Sequence, residues 1–116
     1  MTLTLYRPVG TKELHIIEQF GWKKSPTRLP EQPIFYPVMH EAYAVQITRD
    51  WNVLDSRAGF VTRFEVDAAF AQRYPIHTVG ASVHTELWVP AEDLETFNQH
   101  IVGVIEVIAE YRGDPT

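Results

Sequence analysis

An arginine, two tyrosines and a glutamate stand on what read as four separate elements of this chain: Arg7 in LYRPVG, Tyr36 in PIFYPV, Tyr43 in HEAYAV and Glu86 in HTELWVP. A cationic group, two rings and a carboxylate are what a pocket needs to hold a phosphorylated ligand carrying a flat base or a nicotinamide. The planar donor fork of arginine matches phosphate or ribose oxygens. Tyrosine rings stack on flat groups and leave a hydroxyl to find a partner. A carboxylate on a strand holds a ribose hydroxyl and stabilises the positive charge that develops as a glycosidic bond breaks. His84 lies on the strand face of Glu86 and is expected to support it. Each residue also has a plainer reading. Arg7 is explained by an edge ion pair with one of the 15 acids, and the tyrosines by a place in the core, since Tyr43 shares a helix face with Ile47 and Trp51. Glu86 is equally explained by an open sheet face.

Other chemistries find less support. No GxGxxG follows a strand, no GxxxxGK[ST] occurs and no HExxH lies on a helix, which argues against a dinucleotide turn, a P-loop or a helical zinc site. Of the five histidines only His77 and His84 lie near each other in a strand region, and a metal site would need Glu86 or Glu106 as a third ligand. No serine stands in a GxSxG setting. Arg28 and Gln32 are placed to contact a ligand if RLPEQPIFYP folds over it, although a proline-stiffened brace explains the same segment. Thr62 and Arg63 are expected either to line the pocket or, for Arg63, to pair with Glu65 in solvent. Glu106 reads as a half-exposed strand residue or as a buried acid. Asn98 and His100 are expected to shape the turn into the last strand.

The elements that position these groups follow from periodicity. TLTLYR alternates, putting Leu3, Leu5 and Arg7 on one side and Tyr6 opposite, in a strand expected to end at Pro8 and Gly10. Thr11 is expected to cap a helix over Lys12 to Phe20, with Gly21 as its stop. IFYPV reads as a strand and HEAYAVQITRDW as a helix, followed by a turn over Asn52 to Arg57. GFVTRFEVD alternates with Phe60, Thr62, Phe64 and Val66 on one face, and Asp67 caps a short helix in AAFAQRY. IHTVGASVHTELWVP holds one or two strands in which His84, Glu86 and Trp88 face away from Val83, Leu87 and Val89. AEDLETF gives a helical turn, and Gly103 to Tyr111 a closing strand that, being the most apolar, is expected at the centre of the sheet. The whole is an α+β domain of about five or six mostly antiparallel strands and three or four short helices.

Length and composition bound the function. One domain accounts for 116 residues, and 45% hydrophobic with 12% aromatic residues is enough for a core. The net charge of -5, with no basic block, makes a nucleic-acid groove unexpected. Absence of cysteine excludes disulfides and thiolate chemistry. No apolar run approaches a membrane span and no leader pattern opens the chain, so a cytoplasmic protein is expected.

PIFYPVMHEAYA resembles the strand-helix signature of the ADP-ribosyltransferase fold in its diphtheria-toxin and PARP-like branch, where two tyrosines seven residues apart pack around nicotinamide; here they are Tyr36 and Tyr43. That resemblance implies a compact ADP-ribosyltransferase-like domain with NAD as substrate, a first-strand cation at Arg7 and a catalytic glutamate at Glu86. An arginine on the first strand is similar instead to the Arg-Ser-Glu branch, so the patterns are mixed, and His84 occupies the place of the first glutamate of the ExE form. Nearly the full length also resembles the small bacterial proteins grouped as ADP-ribosylation/crystallin J1, through LYRPVG, RLPEQPIFYPV, RDWN, TRFEVD, ELWVPAEDL and FNQHIVGVIEVI. The large all-helical ADP-ribosylglycohydrolase fold does not fit into this strand-rich chain. The implied activity is cleavage of the nicotinamide-ribose bond, as a transferase or an NAD glycohydrolase. The alternatives are a non-catalytic ligand-sensing or protein-interaction domain that keeps the scaffold, and a small partner protein presenting the acids of AEDLE to a basic protein.

Overall fold

The computed structural model describes residues 1–26, 32–52, 57–78 and 85–112. The fold is α+β and its strands pair antiparallel. Its spine is β3 (Ala58–Asp67), flanked by β1 (Thr2–Gly10) and β7 (Ile101–Arg112) in the order β1-β3-β7. Phe60, Thr62, Phe64 and Val66 are all buried on one face of β3, as the period-2 pattern requires, and Val61 is buried on the other. A strand buried on both faces belongs at the centre. The closing strand does not: β7 lies at the edge and exposes Val102, Val104 and Val107. Its apolar residues are therefore no guide to its place, because hydrophobicity reports burial only when both faces find partners. Gly103, at a φ of +79°, sits where the β3–β7 register shifts, and the Ile105 N–H beyond it bonds the Trp22 carbonyl at 2.6 Å.

Pro8 does not end β1; it pairs in register with Val61. Tyr6 directs its N–H and C=O away from β3, to Val38, and alternation puts the missing N–H of Pro8 on that same outer side, where no β3 bond is lost. Helix α1 (Thr11–Gln19) begins one residue earlier than expected, with Gly10 as an extended N-cap and no side-chain cap from Thr11. Gly21, at φ +69°, ends it.

IFYPV forms only a two-residue β2 (Ile34–Phe35), because two prolines flank it and Pro37 lacks a donor. The chain then does something the periodicity does not reveal. Val38 bridges Tyr6 on one side and Glu86 on the other, while Leu87 N–H bonds Pro37 O and Met39 N–H bonds Thr85 O, both at 2.9 Å. Residues 37–39 thereby join β1 to β5 (Thr85–Leu87), which pairs with β4 (Ile76–Thr78). β6 (Val89–Pro90) pairs with β2.

Helix α2 (Glu41–Ile47) runs into a π-helical turn over Thr48–Asn52. Asp67 caps α3 (Ala68–Ala71) as expected, accepting from Phe70 N–H at 3.1 Å. A 3-10 turn (Ala91–Asp93) leads into α4 (Leu94–Gln99). One main core lies between the sheet and the helices α1, α3 and α4, built on Leu5, Ile17, Phe35, Phe64 and Phe97. A smaller one places α2 over the other face, around Val38, Ala44 and Val61. No helix among the described residues is long and apolar enough to cross a membrane.

Candidate functional site

A cavity of about 470 Å³ opens beside β1, where strand pairing stops. Tyr6 and Val38 exchange both backbone bonds, at 2.8 and 2.7 Å. Beyond them, residues 7–10 have no ladder partner on that side among the described residues. The wall of the opening holds Arg7 and Glu13 on one side, Tyr36 and Gln32 on the crossing segment, Tyr43 on α2 and Glu86 on β5. Five residues singled out in the sequence, Arg7, Gln32, Tyr36, Tyr43 and Glu86, thus converge on one space.

Glu86 is 8% exposed, and the alternation of TELWV explains it: Leu87 and Val89 turn into the main core, so Glu86 and Trp88 share the other face. Its carboxylate is held at both oxygens. The Tyr43 hydroxyl donates to Oε2 at 2.6 Å and the Trp88 indole N–H donates to Oε1 at 2.9 Å. Behind Trp88 stands His77, opposite Glu86 in the β4–β5 register, with its ring stacked on the indole at 3.9 Å between centroids. Each carboxylate oxygen has a second lone pair to offer a ligand. The reading of Glu86 as a residue on an open sheet face is overturned by this burial.

Tyr43 has a hydroxyl pKa pushed up to about 12, first by burial, then by its hydrogen bond to Glu86 and the charges of Glu86 and Tyr36. At neutral pH Tyr43 is therefore a proton donor and not a base. Replacing Glu86 by Gln is expected to return the Tyr43 titration toward the ordinary value near 10, read as tyrosinate absorbance. The linkage has a definite sign. A folded-state pKa raised above the unfolded one gives stability that is complete below about pH 10 and is lost between about 10 and 12. Denaturation of wild type and Tyr43→Phe should therefore converge across that window, and parallel curves would contradict it.

Arg7, 8% exposed, lies on the face of Leu5 and Val9 at the open end of β1. Its Nε and Nη2 donate to Glu13 at 2.8 and 3.1 Å, a bidentate pair, and the guanidinium lies 4.8 Å from the centroid of the Phe35 ring. The pair forms because α1 starts directly after β1 and its first turn brings Glu13 back beside the strand end. So Arg7 is both an ion pair and a cavity residue. The Thr62 hydroxyl donates to the Arg7 carbonyl at 2.7 Å, so Thr62 supports the strand and does not line the cavity.

Tyr36 lies at the rim and is 43% exposed, which overturns its reading as a core aromatic. His84 and Arg28 lie outside the described residues, and with His84 the pairing of His77 and His84. Among the described residues no three histidines or acids gather as a metal site. Arg63 pairs with Glu106 at 3.6 Å and not with Glu65, which accepts from Thr2 and Thr4. Glu106 is exposed in that pair and is not a buried acid. Asn98 bonds both backbone groups of Ser25, and His100 stacks on Phe70 at 3.7 Å. Spacing along the chain singles out neither Glu13 nor the indole N–H of Trp88. The second was accessible from the shared face of residues 86 and 88, the first only from the strand-to-helix geometry.

A larger cavity of about 700 Å³ lies between the end of α1, Lys23–Pro26, α4 and the start of β7. Its wall is mainly apolar, Lys24 lies over the Phe20 ring, and the polar groups of Ser25 and Asn98 bond each other. Size alone favours it, but convergent polar chemistry belongs to the smaller one. No family model, curated protein or solved structure matches this chain.

Proposed function

We propose that the cavity beside β1 binds NAD+ and cleaves its nicotinamide-ribose bond, transferring ADP-ribose to an acceptor or to water, on an ADP-ribosyltransferase-like scaffold. The observation that carries this reading is the Tyr43–Glu86 contact: a ring and a carboxylate, 2.6 Å apart at their polar ends, on the wall that also holds Arg7 and Tyr36. The rings of Tyr36 and Tyr43 enclose the flat nicotinamide. The guanidinium edge that Glu13 leaves open takes ribose oxygens.

Cleavage breaks the bond between ribose C1′ and the pyridinium nitrogen. The bonding pair leaves with nicotinamide, which becomes neutral, and positive charge develops on the ribose ring. Glu86 holds a ribose hydroxyl and faces that charge with a carboxylate already oriented by Tyr43 and Trp88, so no reorganisation is needed when the charge appears. The nucleophile then forms a new bond to C1′ and loses its proton to solvent. With water as nucleophile the products are ADP-ribose, nicotinamide and a proton.

The test is a calorimetric titration of the purified protein with NAD+, run beside Arg7→Ala, together with an assay for released nicotinamide. Wild type is expected to bind and to release nicotinamide, and Arg7→Ala to bind at least about tenfold more weakly, as for a lost charge-assisted hydrogen bond. Absence of binding at millimolar NAD+ would remove the proposal.

A further inference from the structure

The described wall of the cavity carries one guanidinium and two carboxylates. The guanidinium is already paired, with Nε and Nη2 of Arg7 both given to Glu13. Glu86 is not neutralised in the same way: its two oxygens accept from a neutral hydroxyl and a neutral indole, which orient the charge and leave it in place. A ligand entering between aromatic rings therefore meets an oriented negative charge at Glu86. At Arg7 it meets an Nε–Nη2 edge that a carboxylate already occupies, with only the remaining edge left for neutral oxygens. Both Arg7 and Glu86 are 8% exposed, so water screens these charges little.

We propose that Glu13 sets the charge selectivity of this cavity: as resident counter-ion of Arg7 it disfavours free anions and leaves Glu86 to select a flat, positively charged ring. The inference rests on the NAD+ reading and refines it. The recognised part of the dinucleotide is its N-substituted pyridinium, and the pyrophosphate lies away from the Arg7–Glu13 fork. Loss of the Glu13 charge would open that fork to anions and weaken the hold on the ring.

Three small probes separate the charges: 1-methylnicotinamide, a cation; nicotinamide, its neutral counterpart; and inorganic pyrophosphate. Wild type is expected to bind the cation at least about tenfold more tightly than nicotinamide, the size of one unscreened charge contact at this range. Glu13→Gln should erase most of that preference and gain at least about tenfold for pyrophosphate, whereas Glu13→Asp should keep the wild-type order. Gln still offers one acceptor to Arg7, and circular dichroism checks the fold. If Glu13→Gln does not fold, pyrophosphate decides on the wild type: pyrophosphate that binds as tightly as the cation would show that Glu13 does not disfavour anions and overturns the inference. Equal binding of cation and neutral ring by wild type, or a Glu13→Gln protein with an unchanged preference and no gain for pyrophosphate, overturns the inference. A cation preference without nicotinamide release from NAD+ would sink the catalytic reading and leave the selectivity standing. Release without a cation preference does the reverse.

Discussion

Glu86→Gln is expected to lower nicotinamide release from NAD+ by about 100- to 1,000-fold, the usual cost of removing a preorganised group aimed at developing charge. Binding of NAD+ should weaken by about tenfold, because the pyridinium is already charged in the ground state, so release is compared at saturating NAD+, where the remaining loss reports the charge that has moved onto the ribose in the transition state. The substitution is well placed to isolate charge from packing. The amide oxygen can still accept from the Trp88 indole, and the amide nitrogen can donate to the Tyr43 hydroxyl, which rotates to accept. Volume and hydrogen bonds survive while the negative charge does not. Trp88→Phe provides the complementary test, since it frees Oε1 and removes the indole that His77 covers while keeping the charge. A smaller loss, about tenfold, is expected there. A Glu86→Gln protein that releases nicotinamide within about threefold of wild type would show that Glu86 only completes the wall, however well it is bonded.

The largest expected loss of stability belongs to Phe97→Ala. Phe97 is fully buried on α4 and its ring meets those of Phe35, Phe64, Phe70 and Tyr74 at centroid distances of 5.6 to 6.3 Å. Truncation removes the apolar surface and leaves a cavity that rigid strand and helix neighbours cannot close, at a cost of about 3–5 kcal/mol. That is a large share of the roughly 5–15 kcal/mol that holds a domain of this size together. Urea denaturation measures it, with Val104→Ala, exposed on β7, as a control expected to change stability by less than about 0.5 kcal/mol. A loss below about 1 kcal/mol for Phe97→Ala would mean that the core repacks around the gap. The effect should also reach the site. Phe35 packs its ring against Phe97 and also carries the Arg7 guanidinium 4.8 Å from its centroid. Loosening Phe35 removes the platform that fixes Arg7 beside Glu13, so weaker NAD+ binding is expected in the fraction that remains folded.

What the amino-acid order determined by itself was local. Alternation in GFVTRFEVD dictated which residues of β3 share each face, Gly21 stopped α1, Asp67 capped α3, and TELWV turned Glu86 and Trp88 away from the core residues Leu87 and Val89. Those signals are legible because a strand repeats every two residues and a cap acts within one turn, so their causes lie a few positions apart. Arg7, Tyr36, Tyr43 and Glu86 were likewise legible as residue types on separate elements. Their meeting was not. It depends on Val38 bonding Tyr6 on one side and bridging Glu86 on the other, contacts 32 to 48 residues apart that leave no periodic trace. The edge position of β7 was hidden for the same reason, since strand order is set by which faces find partners and not by how apolar each strand is. The Arg7–Glu13 pair was decided by the angle at which α1 leaves β1, and only the folded chain, by bringing that pair and the Tyr43–Glu86–Trp88 cluster to one opening, makes a charged cavity out of scattered side chains.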